Sequence, residues 1–175
     1  MNEDDFWKLI EDLWDIVNEE KYKRMIIAIP KEYPENASEL GKKFEDVMEQ
    51  KVFPRLEKEL RCMSKEESFS FNQILEKKLY DLDTREIHEY VEGSDDGFLY
   101  HRGFIVGMGK EYYYSILNDP SKGLLRLRSE DFAYMTRAIH HERFSDQENI
   151  DSFTEGISRE TCSNLEGWKE DNNID

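Results

Sequence analysis

At 175 residues the chain has the length of one ordinary domain, and 13% aromatic content offsets an apolar fraction of only 38%. Wholesale disorder, a collagen repeat and a disulfide scaffold are excluded. The net charge of −16, from 40 Asp and Glu against 24 Lys and Arg, argues against binding duplex DNA, RNA or an anionic membrane.

That charge is unevenly placed. Residues 1–20 hold 8 acids and 1 base, residues 145–175 hold 9 acids and 2 bases, and the stretch between them is nearly balanced. Cys62 and Cys162 lie a hundred residues apart, too few for a zinc site, and nothing suggests secretion. The start, MNEDDFWKLIEDLW, is acidic where a signal peptide needs bases, and no segment approaches the roughly 20 apolar residues of a membrane span. A cytoplasmic protein with reduced thiols is expected.

Phe6, Ile10, Leu13, Trp14 and Val17 recur at helical spacing, with Asn2 or Asp4 as the cap. Tyr22, Met25, Ile26 and Ile29 continue the spacing, but the β-branched MIIAI (25–29) also allows a short strand. Pro30 and Pro34 close that element. Three capping boxes follow: Asn36 to Glu39, Ser64 to Glu67 and Ser152 to Glu155. The first opens a helix through Leu40, Phe44, Val47 and Met48 that reaches Leu56 and Leu60, with a kink or restart at Pro54. The second opens a helix through Phe71, Ile74, Leu75 and Leu79. Thr84 caps a shorter one presenting Ile87 and Val91, and Gly93 and Ser94 break the chain before a helix from Asp95 to about Met108.

Gly109 interrupts the pattern, which Tyr113, Ile116 and Leu117 carry to an Asn118–Asp119–Pro120 turn. LLRLR (124–128) alternates like a short strand, and Ser129 caps a helix through Phe132, Met135 and Ile139. Phe153, Ile157, Leu165 and Trp168 predict a docked terminal helix within an acidic segment, 145–175, that follows a helical domain over 1–144. The fold class is mostly α: a single compact multi-helix domain, with room for a minor two-stranded element.

The densest polar cluster is Ser94 to Gly103. Asp95, Asp96, His101 and Arg102 within it are the candidate binding residues, since carboxylates beside His and Arg can act as base, acid and anion clamp. Asp95 and Arg102, seven apart, share a helix face with a gap of about 10 Å between them. The simpler reading is structural: Ser94 or Asp95 caps, Asp96 complements the dipole and Arg102 pairs elsewhere. Gly97, Gly103, Gly107 and Gly109 match no phosphate-loop pattern and point to close helix packing. His140, His141 and Glu142 lack metal-ligand spacing, adjacent positions on a helix pointing about 100° apart. Cys62 reads as buried filler, and Tyr112–Tyr113–Tyr114 as partly core and partly surface. No catalytic triad, metal site or cofactor signature emerges.

The segments DDFWKLIEDLWD, LEKELRCMSKEE, KKLYDLD and SDDGFLYHRGFIVGMGKEYYYSILNDP together resemble a bacterial family, domain of unknown function 4240. Phe6 and Trp7 match its opening; Ser94, Asp95, Asp96, Gly97, Phe98, Arg102, Gly109, Asp119 and Pro120 match its later motif. His101 and Phe104 depart from it, standing where the resemblance implies an aromatic and a Trp. The likeness covers about residues 3–120 and implies a small helical fold, with no activity, catalytic residue or cofactor attached.

The leading functional expectation is a non-enzymatic acidic interaction protein, such as an immunity protein or inhibitor that masks a basic protein partner. The candidate interface acids are Asp4, Asp5, Glu11, Asp12 and Asp15 at one end and Asp146, Glu148 and Asp151 at the other. The rival is a small enzyme or ligand-binding regulator built on Asp95, Asp96, His101 and Arg102, which predicts a pocket beside their helix.

Overall fold

Asn2 fixes where the first helix, α1 (Glu3–Ile16), begins. Its side chain accepts from the Asp5 amide at 2.9 Å while its own amide donates to the Asp5 carboxylate at 3.1 Å, a reciprocal capping box. The spacing of Phe6, Trp7, Ile10, Leu13 and Trp14 puts all five on the buried face. The computed structural model describes residues 1–17, 21, 37–91, 93–123, 127–144 and 156–169.

Next comes α2 (Ala37–Val47), which passes into one π turn (Met48–Val52) and then α3 (Phe53–Cys62). Pro54 lies in the first turn of α3, where its missing N–H costs least, and the wider turn before it keeps the helix running. The expected restart at Pro54 therefore takes the form of a π turn. Ser64 and Glu67 form the predicted capping box of α4 (Lys65–Asp81). After Leu82, Asp83 and Thr84 come α5 (Arg85–Val91) and α6 (Asp95–Gly107), the latter capped by Ser94. Gly109, at φ +97°, turns the chain into α7 (Lys110–Asn118), and a short 3-10 turn (Pro120–Lys122) leads toward α8 (Glu130–Phe144).

Helix α6 is apolar nearly all round, so it belongs in the middle. Phe98, Leu99, Phe104, Ile105 and Val106 are all buried, and α4, α5, α7 and α8 pack around it. The α6–α8 crossing is close because Gly103 has no side chain: a Cβ there would stand 2.9 Å from the Ser129 carbonyl oxygen. α1 lies against α3 and α4, and its Trp14 indole donates to the Gly107 carbonyl at 2.9 Å, tying the first helix to the end of the central one.

Among the described residues there is no strand, so the minor two-stranded element is not supported. MIIAI (25–29) lies outside the described residues, as do 124–126 of LLRLR; Leu127 and Arg128 belong to no regular element. Where the apolar spacing predicted a terminal helix, residues 156–169 instead form a strap of turns and irregular chain. Phe153 is outside the described residues. Trp168 rests on the rings of His88 and Phe98, at 5.4 and 6.2 Å, but Leu165 is 72% exposed, so the two do not share a buried helical face.

Candidate functional site

The four residues of the predicted binding cluster part company at the start of α6. Asp95 and Asp96 occupy its exposed first turn, whereas His101 and Arg102 are buried about two turns on. Arg102 donates from Nη1 to the Leu79 carbonyl at 2.8 Å, and from Nη2 to the Arg159 carbonyl at 2.8 Å and Thr161 Oγ1 at 3.0 Å. Its guanidinium also lies over the Phe98 ring, 4.7 Å from the centroid, and 4.0 Å from the Asp83 carboxylate. Burial lowers its pKa to about 10 against the pull of Asp83, so it stays charged at neutral pH. The anion clamp of the rival reading is thus directed at the protein's own main chain.

His101 is 1% exposed, and neither ring nitrogen makes a well-formed hydrogen bond. Burial pushes its pKa down to about 4, with the Leu127 backbone opposing and Arg128 adding to the fall. It is a neutral core side chain.

Two carboxylates that sequence reasoning did not single out organise the strap. Asp83 is fully buried; it accepts from the Cys162 amide at 3.1 Å, the Asn164 amide at 2.9 Å, the Ser163 hydroxyl at 3.3 Å and the Trp168 indole at 2.9 Å. This gathering of donors is what holds Cys162 at φ +65°, a left-handed conformation that costs a non-glycine residue about 1 kcal/mol or more. Glu76, 1% exposed, accepts from Arg159 Nε at 2.8 Å and ion-pairs with Arg137 at 2.9 Å, while Arg159 also donates to the Ala133 carbonyl. Asp83 lies in the KKLYDLD segment, yet its partners are about 80 residues away, so no local spacing announces its role.

The interface acids of α1 are mostly engaged within the molecule. Asp4 pairs with Lys110 at 3.1 Å, Asp5 belongs to the capping box, and Asp12 pairs with Lys8. Glu11 accepts from the Lys110 amide at 2.9 Å and so caps α7, whose own N-cap, Gly109, has no side chain to do it. Asp15 is exposed and makes no ion pair among the described residues. Asp146, Glu148 and Asp151 lie outside the described residues. Glu3 takes Lys78 at 2.8 Å, the Tyr114 hydroxyl at 2.9 Å and the Trp7 indole at 3.2 Å. The Lys78 bond above all holds its pKa down to about 2.

A different set of acids is left open. Asp95 and Asp96 on α6, Glu130 on α8 and Glu160 on the strap are exposed and make no ion pair with any described residue. The strap joins the helix here, since Thr161 Oγ1 donates to the Asp95 carbonyl at 2.8 Å. Between these acids stand two tyrosines, Tyr100 of α6 and Tyr134 of α8, with ring centroids 6.1 Å apart and planes 75° from parallel.

The other candidates resolve more simply. His140 is buried and shares a 2.8 Å hydrogen bond with Ser68, His141 is exposed, and Glu142 pairs with Arg61 at 3.0 Å. Among the described residues no group of three His, Cys, Asp or Glu side chains could hold a metal ion. Cys62 is exposed rather than buried: the apolar contacts at the end of α3 are made by Leu60 and Met63. Tyr112 and Tyr113 are buried and Tyr114 is 37% exposed, the predicted division. A groove of about 530 Å³ runs between α5 and the strap, lined by Thr84, Ile87, Leu117, Pro120, Glu166 and Gly167 among others. None of Asp95, Asp96, His101 and Arg102 lines it. No described helix is long and apolar enough to cross a membrane.

No curated protein and no solved structure matches the chain. The likeness seen in the SDDGF segment extends well beyond residue 120: over residues 1–153 the chain matches the family described as "Protein of unknown function (DUF4240)", and it belongs to that family.

Proposed function

We propose that this is a non-enzymatic interaction protein, of the kind an immunity protein or inhibitor represents, that masks a basic protein partner. One observation carries the reading: Asp95, Asp96, Glu130 and Glu160 stand exposed on neighbouring elements with no ion pair to any described residue, while most acids of α1 are engaged internally. Opposite potential steers a basic partner to such a face and orients it there. The reading moves the weight of the interface from α1 to the start of α6, α8 and the strap, with Asp15 as an acid of α1 that makes no ion pair with a described residue.

The test is capture on immobilised protein at low salt, followed by a salt gradient. A basic protein should be retained and released at moderate salt. The combined variant Asp96→Asn, Glu130→Gln, Glu160→Gln should weaken retention and flatten its salt dependence, because surface attraction is screened over about 10 Å at 0.1 M salt. Asp12→Asn should change little. Retention of no basic protein, or retention unaltered in the triple variant, would defeat the proposal.

A further inference from the structure

Tyr100 and Tyr134 are arranged unlike the run Tyr112–Tyr113–Tyr114. Tyr112 and Tyr113 belong to the core, and Tyr114 donates its hydroxyl to Glu3. Tyr134 is 39% exposed and Tyr100 half-buried, and the two meet edge to face across the α6–α8 crossing. Each lies one turn beyond an exposed acid on its own helix, Asp96 before Tyr100 and Glu130 before Tyr134, so acid and ring share a face on both helices. Glu160 supplies a third carboxylate from the strap.

Proximity of these groups shows in the phenols. Both are raised above the ordinary tyrosine range, first by burial and then by Glu130 at Tyr100 and by Glu160 and Asp96 at Tyr134. The ring of Tyr134 already receives one guanidinium, that of Arg159, 5.8 Å from its centroid; Glu76 neutralises that charge from within. Arg128, whose guanidinium lies beside Gly97, makes no ion pair with any of the three acids.

An aromatic surface ringed by carboxylates suits a flat cation better than a round one. A guanidinium stacks on a ring and hydrogen-bonds carboxylates in its own plane, whereas a lysine ammonium is a compact, strongly hydrated charge. We infer that Tyr100 and Tyr134, with Asp96, Glu130 and Glu160, form the docking point for an arginine side chain of the basic protein partner. The inference rests on the proposed function and names the chemical group that the face selects.

Two peptides test it, alike except that one carries arginines where the other carries lysines, each titrated at low salt into the full chain. The arginine peptide should bind at least about 3-fold more tightly. Tyr134→Leu, which removes the ring, should abolish that preference by bringing arginine-peptide affinity down to the lysine-peptide level. Tyr134→Phe should retain it. Equal affinities for the two peptides, or a preference that survives in Tyr134→Leu, would overturn the inference while leaving salt-dependent binding, and so the proposed function, intact. If neither peptide binds, the two fall together.

Discussion

His101 is held neutral by its surroundings. The free side chain titrates near 6.5, but in the fold burial brings the value to about 4. Between those pH values the unfolded chain takes up a proton that the folded chain refuses, so stability is complete above pH 6.5 and falls as the pH drops toward 4. At about 1.36 kcal/mol per pH unit, the loss from this group reaches at most about 3 kcal/mol. His101→Phe removes the titration and suits a buried site where neither ring nitrogen makes a well-formed hydrogen bond and where the family resemblance implies an aromatic. Urea unfolding at pH 7 and pH 5 should show the parent losing clearly more stability than the variant. An equal loss in both would mean that His101 is protonated in the fold or that other groups set the acid limb. The sequence marks this residue as chemically eligible but not as enclosed. Histidine and arginine beside two aspartates read alike whether they face solvent or core, and helical spacing separates the faces only when polar and apolar residues alternate cleanly. In α6 they do not, because the helix is surrounded.

Local rules work best at helix starts. Ser64 caps as its spacing predicts, and Asn2 and Ser94 are each one of the two caps the sequence offers, because a cap and the amide it serves lie within three residues of each other. The strap defeats the same kind of reading. Ile157, Leu165 and Trp168 imitate a helical face, yet what fixes the segment is hydrogen bonding to residues far away in the chain. Asp83 serves four donors from the strap and faces Arg102, so Asp83→Ala would leave two amides, a hydroxyl and an indole without their acceptor and the buried guanidinium without its nearby counter-charge. Removing one partner of such a network costs about 3 kcal/mol or more. Chemical denaturation should register that loss, and limited proteolysis should cut the variant within the strap under conditions where the parent is untouched. A variant with parental stability and a protected strap would show that Arg159 on Glu76 is the principal attachment. Either way the strap belongs to the folded unit by virtue of buried charge, which explains why its apolar content alone is a poor guide to it.

For the whole molecule, sequence and structure divide the charge question between them. The total of −16 and its concentration in the first 20 and last 31 residues are plain in the sequence, but which acids are engaged is not. Asp4 and Glu11 find partners because α1 folds against α7, Asp5 because α1 caps itself, and Asp12 because Lys8 stands one turn back on the same helix; only the first depends on tertiary contacts. The acids at the start of α6, at the start of α8 and on the strap converge without such relief. Two opposing effects of salt follow. Screening weakens the surface pairs, such as Lys8–Asp12 and Lys43–Glu39, which contribute little to begin with because both partners are in water. It also relieves repulsion among the excess carboxylates, which acts over about 30 Å at 0.01 M salt and about 3 Å at 1 M. The second effect is the larger here, because the molecule carries a net charge of −16 while each surface pair is solvent-exposed and contributes little. The melting temperature should therefore rise with added sodium chloride, and the rise should shrink in the variant Asp96→Asn, Glu130→Gln, Glu160→Gln, whose face no longer repels itself. A melting temperature that falls with salt would place the surface pairs above the repulsion. It would also remove the main physical reason for these acids to welcome a basic partner, because a face without excess negative potential gains nothing by being covered.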